Sequence, residues 1–563
     1  MNQTGGDVLA DSLIRHGIKD LFLIPGIQLD WAVDALRRRL DQIRLFVPRH
    51  EQTTVYMADG YYRASGRVGA AMVVPGPGAL NAGAALATAY ASNSGVLFIA
   101  GQIHSSGVGR GCGLLHEIKD QTGFVEGVTK WNRFVDSPDA IGPTLDTAFA
   151  EVLAGRPRPV GIEIPHDYLS SRAPVRGSPV QCVAVAAEPD VKAIDQAAAL
   201  IDRARLPVLY VGGGIFPSAA SAILRALAER VGAPVVMSDN GRGAIDDRHP
   251  LAMSALAGRA IFEHADVVVV IGSRFIDALT PVPSWPTDKA RFIHVNIDPA
   301  DLGAPRNPAV AIEADARVAL EHLFMRVRAR VALSYADATR VKAWAQGQID
   351  RIEPQAAYIR EMRSALPDDG IFVNELTQVG YLARIAFPVF EPRTYFGPGY
   401  QGALGYGFPV ALGAAVASPG RRVLSITGDG GFGWNLQELA TARKYQLPVT
   451  LVIFNDGHFG NVRAIQKREF GAEVAVELSN PDFPLLGRAF GVDVVQVDDA
   501  RGLGAAVRDS ITAEGPVMIE VRVGMMPSPW HLLRLQPMKG ATGPEAPTNP
   551  LGAAFVAPPT TTT

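Results

Sequence analysis

The chain has 563 residues, 48% of them hydrophobic and 19% charged, with a formal net charge of −3. By length this is about three or four domains, each able to bury a core, and the charge balance gives no reason to expect nucleic acid or an anionic membrane as a partner. Two cysteines, Cys112 and Cys182, are too few for a disulfide framework and fit a reducing, cytoplasmic setting.

In chain order, Met1–Asp7 carries neither a basic n-region nor an apolar h-region, so no signal peptide is expected. No apolar run reaches about 18 residues, so no membrane span is expected either. Asp20–Ile24, Ala70–Val74 and Val96–Ala100 read as buried strands ending at Pro25-Gly26, Pro75-Gly76-Pro77-Gly78 and Gly101-Gln102. Helical patterns lie between them, notably Thr53–Ala64 and Asn81–Ala91, and Arg37-Arg38-Arg39 reads as a solvated helix face. Short apolar runs alternating with helices indicate a parallel sheet covered on both faces.

A loose stretch from Ser170 to Pro189 leads to a second set of strands at Pro207–Val211, Pro234–Met237, Val267–Ile271 and Arg291–Val295. Gly212-Gly213-Gly214 invites a dinucleotide reading, but G-x-G-x-x-G is absent and a plain tight turn is expected. A charged, alanine-rich helical stretch from about Arg317 to Gln355 leads to a third segment ending near Arg522. The tail from Pro527 to Thr563 is rich in Pro, Gly and Thr, and partial disorder is expected there. The fold class is therefore α/β, with three doubly wound parallel-sheet domains at residues 1–170, 190–335 and 356–525 and a tail at 526–563.

The third segment carries the most telling pair. Arg422–Thr427 ends in Gly428-Asp429-Gly430-Gly431-Phe432, and Val449–Phe454 ends in Asn455-Asp456-Gly457-His458. Asp429 and Asp456 are 456 − 429 = 27 residues apart, each at the carboxyl end of a strand, where open α/β sheets bind ligands. Two hard oxygen ligands beside glycines suit Mg²⁺ holding a diphosphate.

Arg49-His50-Glu51-Gln52, followed by Ala58–Gly66, resembles the N-terminal signature of thiamine-diphosphate enzymes of the acetolactate synthase, benzoylformate decarboxylase and benzaldehyde lyase superfamily. Pro75–Asn81, Gly402–Pro409 and the pair Gly428-Asp429-Gly430 with Asn455-Asp456 resemble its further motifs, in family order. The resemblance implies thiamine diphosphate and Mg²⁺ as cofactors. Glu51 would hydrogen-bond the pyrimidine ring, with Pro25 and Asn81 also on the cofactor side. Leu404, in the strip opened by Gly402, would wedge the two rings into a bent shape. Asp429, Asp456 and the carbonyl of His458 would hold the metal, with Gly428, Gly430, Gly431, Thr377 and Gln378 about the diphosphate. It further implies a homodimer or homotetramer with the active site between two chains, Glu51 from one and Asp429 from the other. The expected substrate is a small 2-oxo acid or aldehyde, used for carboligation, for decarboxylation, or for lyase action on a 2-hydroxy ketone or hydroxyacyl-CoA.

Departures from the family pattern narrow the reaction. Asp456 stands where asparagine is common. Ile465 replaces a tryptophan of true acetolactate synthases, and Ala278 replaces the arginine that receives a second carboxylate, although Arg274 is kept. The Met-His-Gly stretch that helps hold flavin is not visible in Ala252–Gly258, so FAD is possible but not favoured. Ile27 is bulky, and Gln28 stands where benzaldehyde lyase has a histidine. His116 stands where synthases have glutamine, and a histidine there can shuttle protons near neutral pH. Glu51, His116 and Gln28 are the expected catalytic residues, with Gln121 a weaker candidate.

Overall fold

The computed structural model describes residues 3–173, 188–275, 289–303, 307–533 and 549–552. Ala278, Cys182 and the closing run Pro558–Thr563 lie outside them. Three six-stranded sheets, each with only parallel neighbours, are drawn from residues 20–165, 207–313 and 371–522. A small antiparallel pair, Gln3–Thr4 with Arg172–Ala173, closes the first unit.

Strand order carries the functional information. In the first sheet it is 44–46, 20–23, 69–73, 96–102, 160–165, 131–134. In the third it is 395–396, 371–374, 423–428, 449–455, 517–522, 493–497. Numbered within each sheet, both run 2-1-3-4-6-5. The middle sheet, 252–253, 235–237, 207–211, 267–271, 291–296, 310–313, runs 3-2-1-4-5-6. In such sheets the crevice lies where the winding reverses, beyond the carboxyl ends of strands 1 and 3 in the first and third units. Those ends are Pro25 and Pro75 in one, and Glu375 and Asp429 in the other.

The strands form because their side chains are apolar on both faces, as in Val267–Ile271 and Val449–Phe454, buried almost throughout. The predicted helices form over Glu51–Ser65 and Pro77–Ser92. The first is capped by His50, whose Nδ1 accepts the Gln52 N–H at 3.2 Å, and stops at Gly66 in the left-handed region. It packs on helix Gly407–Ala417 of the third unit. A Cβ on Gly60 would overlap the Val410 carbonyl, and one on Gly413 would overlap the Met57 carbonyl, so glycine at both positions lets the two backbones touch.

Two expectations need correction. Arg39 is not on a solvated face. Its side chain is 15% exposed and binds Asp11 and Asp7 (3.1 Å to the latter), fastening two helices together, because the run lies opposite the acidic side of Gly5–Arg15. At the start of the tail, Trp530–Leu533 is a helical turn with Leu532 in the core. The second is the stretch after Ser170, expected to be loose: it begins in the antiparallel pair. A Cβ on Gly212 or Gly214 would press on the facing turn at Gly272, and one on Gly213 would crowd Asn240, so close packing accounts for these glycines.

Candidate active site

At the reversal of the third sheet, Asp429 opens helix Asp429–Phe432 and is 3% exposed. Burial raises its pKa. Asn480 Nδ2 donates to its Oδ2 at 2.6 Å and to Asn455 Oδ1 at 3.0 Å. Asp456 is pushed up to about 6, by burial first and then by the charge of Asp429, which His458 and Arg463 offset only in part. The Asp429 charge beside the half-buried Asp456 is an electrostatic setting that suits a cation. Asp456 Oδ2 accepts from Gln378 Nε2 at 2.8 Å, and its Oδ1 from the His458 N–H at 3.1 Å. Among the described residues no three His, Cys, Asp or Glu side chains form a metal cluster, so a cation here would take two carboxylates and backbone oxygen.

Two glycines of this loop, Gly430 and Gly431, are there for closeness. A Cβ on Gly430 would sit 2.7 Å from the Phe459 ring, and one on Gly431 would overlap the Glu375 carboxylate. Gly428 is extended ahead of the helix. Thr377 caps helix Gln378–Ala386, accepting the Gly380 N–H at 2.9 Å. Gln378 also takes the Met526 N–H at 2.7 Å, joining Asp456 to the start of the tail.

Gly402, at φ +58°, leads into the strip that carries Leu404. Leu404 is 46% exposed, so it is not a core leucine. The strip is held by residues that motif reading missed. Glu375 is buried, and its two oxygens accept the N–H groups of Gly405 (2.9 Å) and Gly407 (2.8 Å). Burial pushes it up to about 7. Asn435 Nδ2 donates to the Gly405 carbonyl at 2.6 Å, and Asn435 Oδ1 accepts from Gln52 Nε2 at 2.8 Å. An acid directly after the apolar strand Ile371–Asn374 is the signal that singled out Asp429 and could have flagged Glu375.

In the first unit, Glu51 starts its helix, and its Oε2 accepts from Asn81 Nδ2 at 2.9 Å. Asn81 is its only hydrogen-bond partner through the carboxylate among the described residues. Next to it Arg49 N–H and Thr53 Oγ1 donate to buried Glu438 at 3.1 and 2.9 Å. At the reversal of the first sheet, Pro25 is exposed and Gln28 is buried on the turn Ile27–Leu29. Gln28 meets His116 at 3.1 Å. Gln121 is a buried strut: its Oε1 accepts the Gly76 N–H at 2.8 Å and its Nε2 donates to Gly101 O and Glu163 Oε2, each at 3.0 Å. The predicted residues thus fall into two groups, one in the first unit and one in the third. Ile465 lies on helix Gly460–Phe470, which buries none of its residues.

Residues 3–124, 194–323 and 377–521 match the three thiamine pyrophosphate enzyme families described as N-terminal TPP binding domain, central domain and C-terminal TPP binding domain. The chain belongs to the thiamine pyrophosphate enzymes. It is 34% identical over 541 residues to a probable 2-ketoarginine decarboxylase of Pseudomonas aeruginosa, covering 92% of this chain and 94% of that protein. It is 31% identical over 536 residues to the large subunit of Escherichia coli acetolactate synthase isozyme 1, with the same coverages. To a probable acetolactate synthase large subunit of Methanocaldococcus jannaschii it is 32% identical over 552 residues, covering 92% and 91%. This thiamine pyrophosphate enzyme has three α/β domains in the order of the matched families, and no described helix is long and apolar enough to cross a membrane.

Proposed function

We propose that this chain is a carboligase of the acetolactate-synthase kind, which removes CO₂ from a 2-oxo acid and joins the remaining acyl carbon to a second carbonyl compound. The observation that carries the reading is the pairing of half-sites at matched sheet reversals: Asp429 with Asp456 in one, Glu51 held by Asn81 in the other. Decarboxylation without ligation is the second reading, favoured by Ile465 in place of a tryptophan and by the similarity to a probable 2-ketoarginine decarboxylase. A lyase acting on a 2-hydroxy ketone or hydroxyacyl-CoA would use the same residues.

Thiamine diphosphate, when bound, supplies a carbon nucleophile and an electron sink. The chain supplies position and charge. Asp429, Asp456 and the His458 carbonyl would hold Mg²⁺ against the diphosphate, with Gln378 orienting Asp456. Glu51 would hold a proton at the pyrimidine ring, with Asn81 fixing the carboxylate. Leu404 would set the bend of the cofactor from a strip that Glu375 and Asn435 keep in place. Gln28 and His116 would face the reacting carbonyl.

The site forms between two copies in a cytoplasmic homo-oligomer, with residues 1–170 of one copy facing residues 356–525 of the other. Ile27 (67% exposed), Leu115 (64%), Leu404 and Trp434 (56%) are apolar groups about both half-sites that a second copy would cover. Incubation with Mg²⁺, thiamine diphosphate and a panel of 2-oxo acids, with CO₂ and ketol products measured, separates ligation from decarboxylation. Glu51→Gln should abolish turnover while cofactor binding persists; a fully active Glu51→Gln would sink the assignment.

A further inference from the structure

The contacts of Gln28 decide which ring nitrogen of His116 carries its proton. Gln28 is 6% exposed and sits on the turn Ile27–Leu29, at the carboxyl end of the strand Asp20–Leu23. Its side-chain amide has one donor end and one acceptor end. The donor end is fixed by the Leu115 carbonyl, which can only accept, at 3.2 Å. Gln28 Oε1 therefore faces His116 Nδ1, at 3.1 Å. An amide oxygen cannot donate, so Nδ1 must carry the hydrogen. In the neutral ring the lone pair then resides on Nε2, which has no partner among the described residues.

The ring is also held in place. His116 has φ +68°, a left-handed conformation unfavourable for a non-glycine residue, so the surroundings must impose it. Glu117 folds the loop by accepting the N–H groups of Leu114 (2.9 Å) and Cys112 (3.3 Å). Gly76, itself at φ +60°, lies so close that a Cβ there would overlap the His116 carbonyl. Gln121 ties Gly76 in turn to Gly101 and Glu163.

We propose that Gln28 is a positioning residue that fixes His116 as the Nδ1–H tautomer, making Nε2 the atom that gives and takes the proton in the carbonyl chemistry proposed above. The assignment of that proton step rests on that reaction class; the tautomer does not. As a substrate C=O π bond opens, its oxygen takes the proton from Nε2–H of the imidazolium, leaving the neutral Nδ1–H ring. When the carbonyl re-forms, the O–H bond breaks and the proton returns to the Nε2 lone pair. Gln28 Oε1 accepts from Nδ1–H in both states, so the ring keeps its orientation throughout.

The direct test is ¹⁵N NMR of the full-length protein labelled at histidine, with the His116 signal identified by its loss in His116→Gln. The expected result is the Nδ1–H tautomer in the wild type, and an Nε2–H signal would overturn the proposal. Gln28→Met removes the acceptor at similar volume. It should release the tautomer and lower kcat about ten-fold or more, with KM changed less. Gln28→Glu, which again offers an oxygen to Nδ1–H, should recover part of that loss. A Gln28→Met protein with an unchanged tautomer and unchanged kcat would also overturn it. An Nδ1–H signal in a protein that converts none of the 2-oxo acids upholds the positioning and overturns only the reaction class.

Discussion

Glu375 is a fully buried carboxylate whose partners are two backbone N–H groups and the Thr427 hydroxyl, with no cation among them. Burial wins over these bonds and pushes it from 4.5 up to about 7. Between those values the native chain holds a proton that the unfolded chain has released. The resulting stability is full below about pH 4.5 and is lost as pH rises through about 7. Glu375→Gln cannot titrate, so the difference in unfolding free energy between wild type and variant should change across that window, by on the order of 3 kcal/mol, and level off above it. Urea midpoints at pH 5, 6, 7 and 8 give the answer; a pH-independent difference would place the native pKa near its ordinary value. Glu375 escaped motif reading, as did Asn435 and Glu438, because a buried polar residue declares itself only through partners far along the chain. Gln52 and Asn435 are 383 positions apart. Asp429 and Asp456 were legible because strand, turn and acid are adjacent in sequence.

At the scale of elements, helices Glu51–Ser65 and Gly407–Ala417 join the first and third units, and Gly60 and Gly413 are what let them meet. In an exposed helix, Gly→Ala stabilises by about 1 kcal/mol. Here the added Cβ of Gly60→Ala would fall on the Val410 carbonyl, and that of Gly413→Ala on the Met57 carbonyl. Neither neighbour is a flexible side-chain end that can swing away. Each substitution should therefore destabilise, by about 2 kcal/mol or more, read as a lowered melting temperature; a stabilised variant would contradict the contact. Element by element, legibility followed burial. Val267–Ile271 and Val449–Phe454 are central strands buried almost throughout, and their apolar runs announced them. Trp131–Phe134 and Asp493–Val497 are edge strands with exposed and polar positions, and nothing in their sequence marked them. The loop at His116 was visible only as a lone histidine. Its left-handed backbone and its bond to Gln28, 88 positions away, are properties of the folded chain.

At the scale of the whole molecule, the first and third units share the strand order 2-1-3-4-6-5, and under the proposed function each would contribute one half of a site. Within one chain the units are joined through Gln52–Asn435 and the bonds to Glu438, while Ile27, Leu115, Leu404 and Trp434 stay exposed. A second copy, related by two-fold symmetry, would bring each Glu51 to the other copy's Asp429, giving two equivalent sites. That arrangement makes a quantitative prediction about mixtures. Glu51→Gln and Asp429→Ala proteins should each be inactive alone. After joint unfolding and refolding in equal amounts, about half of the dimers are mixed, and each mixed dimer holds one site with both lesions and one with neither. Activity should return to about a quarter of the wild-type value per site. If Glu51 and Asp429 of the same chain served one site, every site in the mixture would keep a lesion and no activity would return. The assay thus separates a shared site from a single-chain one without knowledge of the natural substrate, provided one 2-oxo acid is turned over.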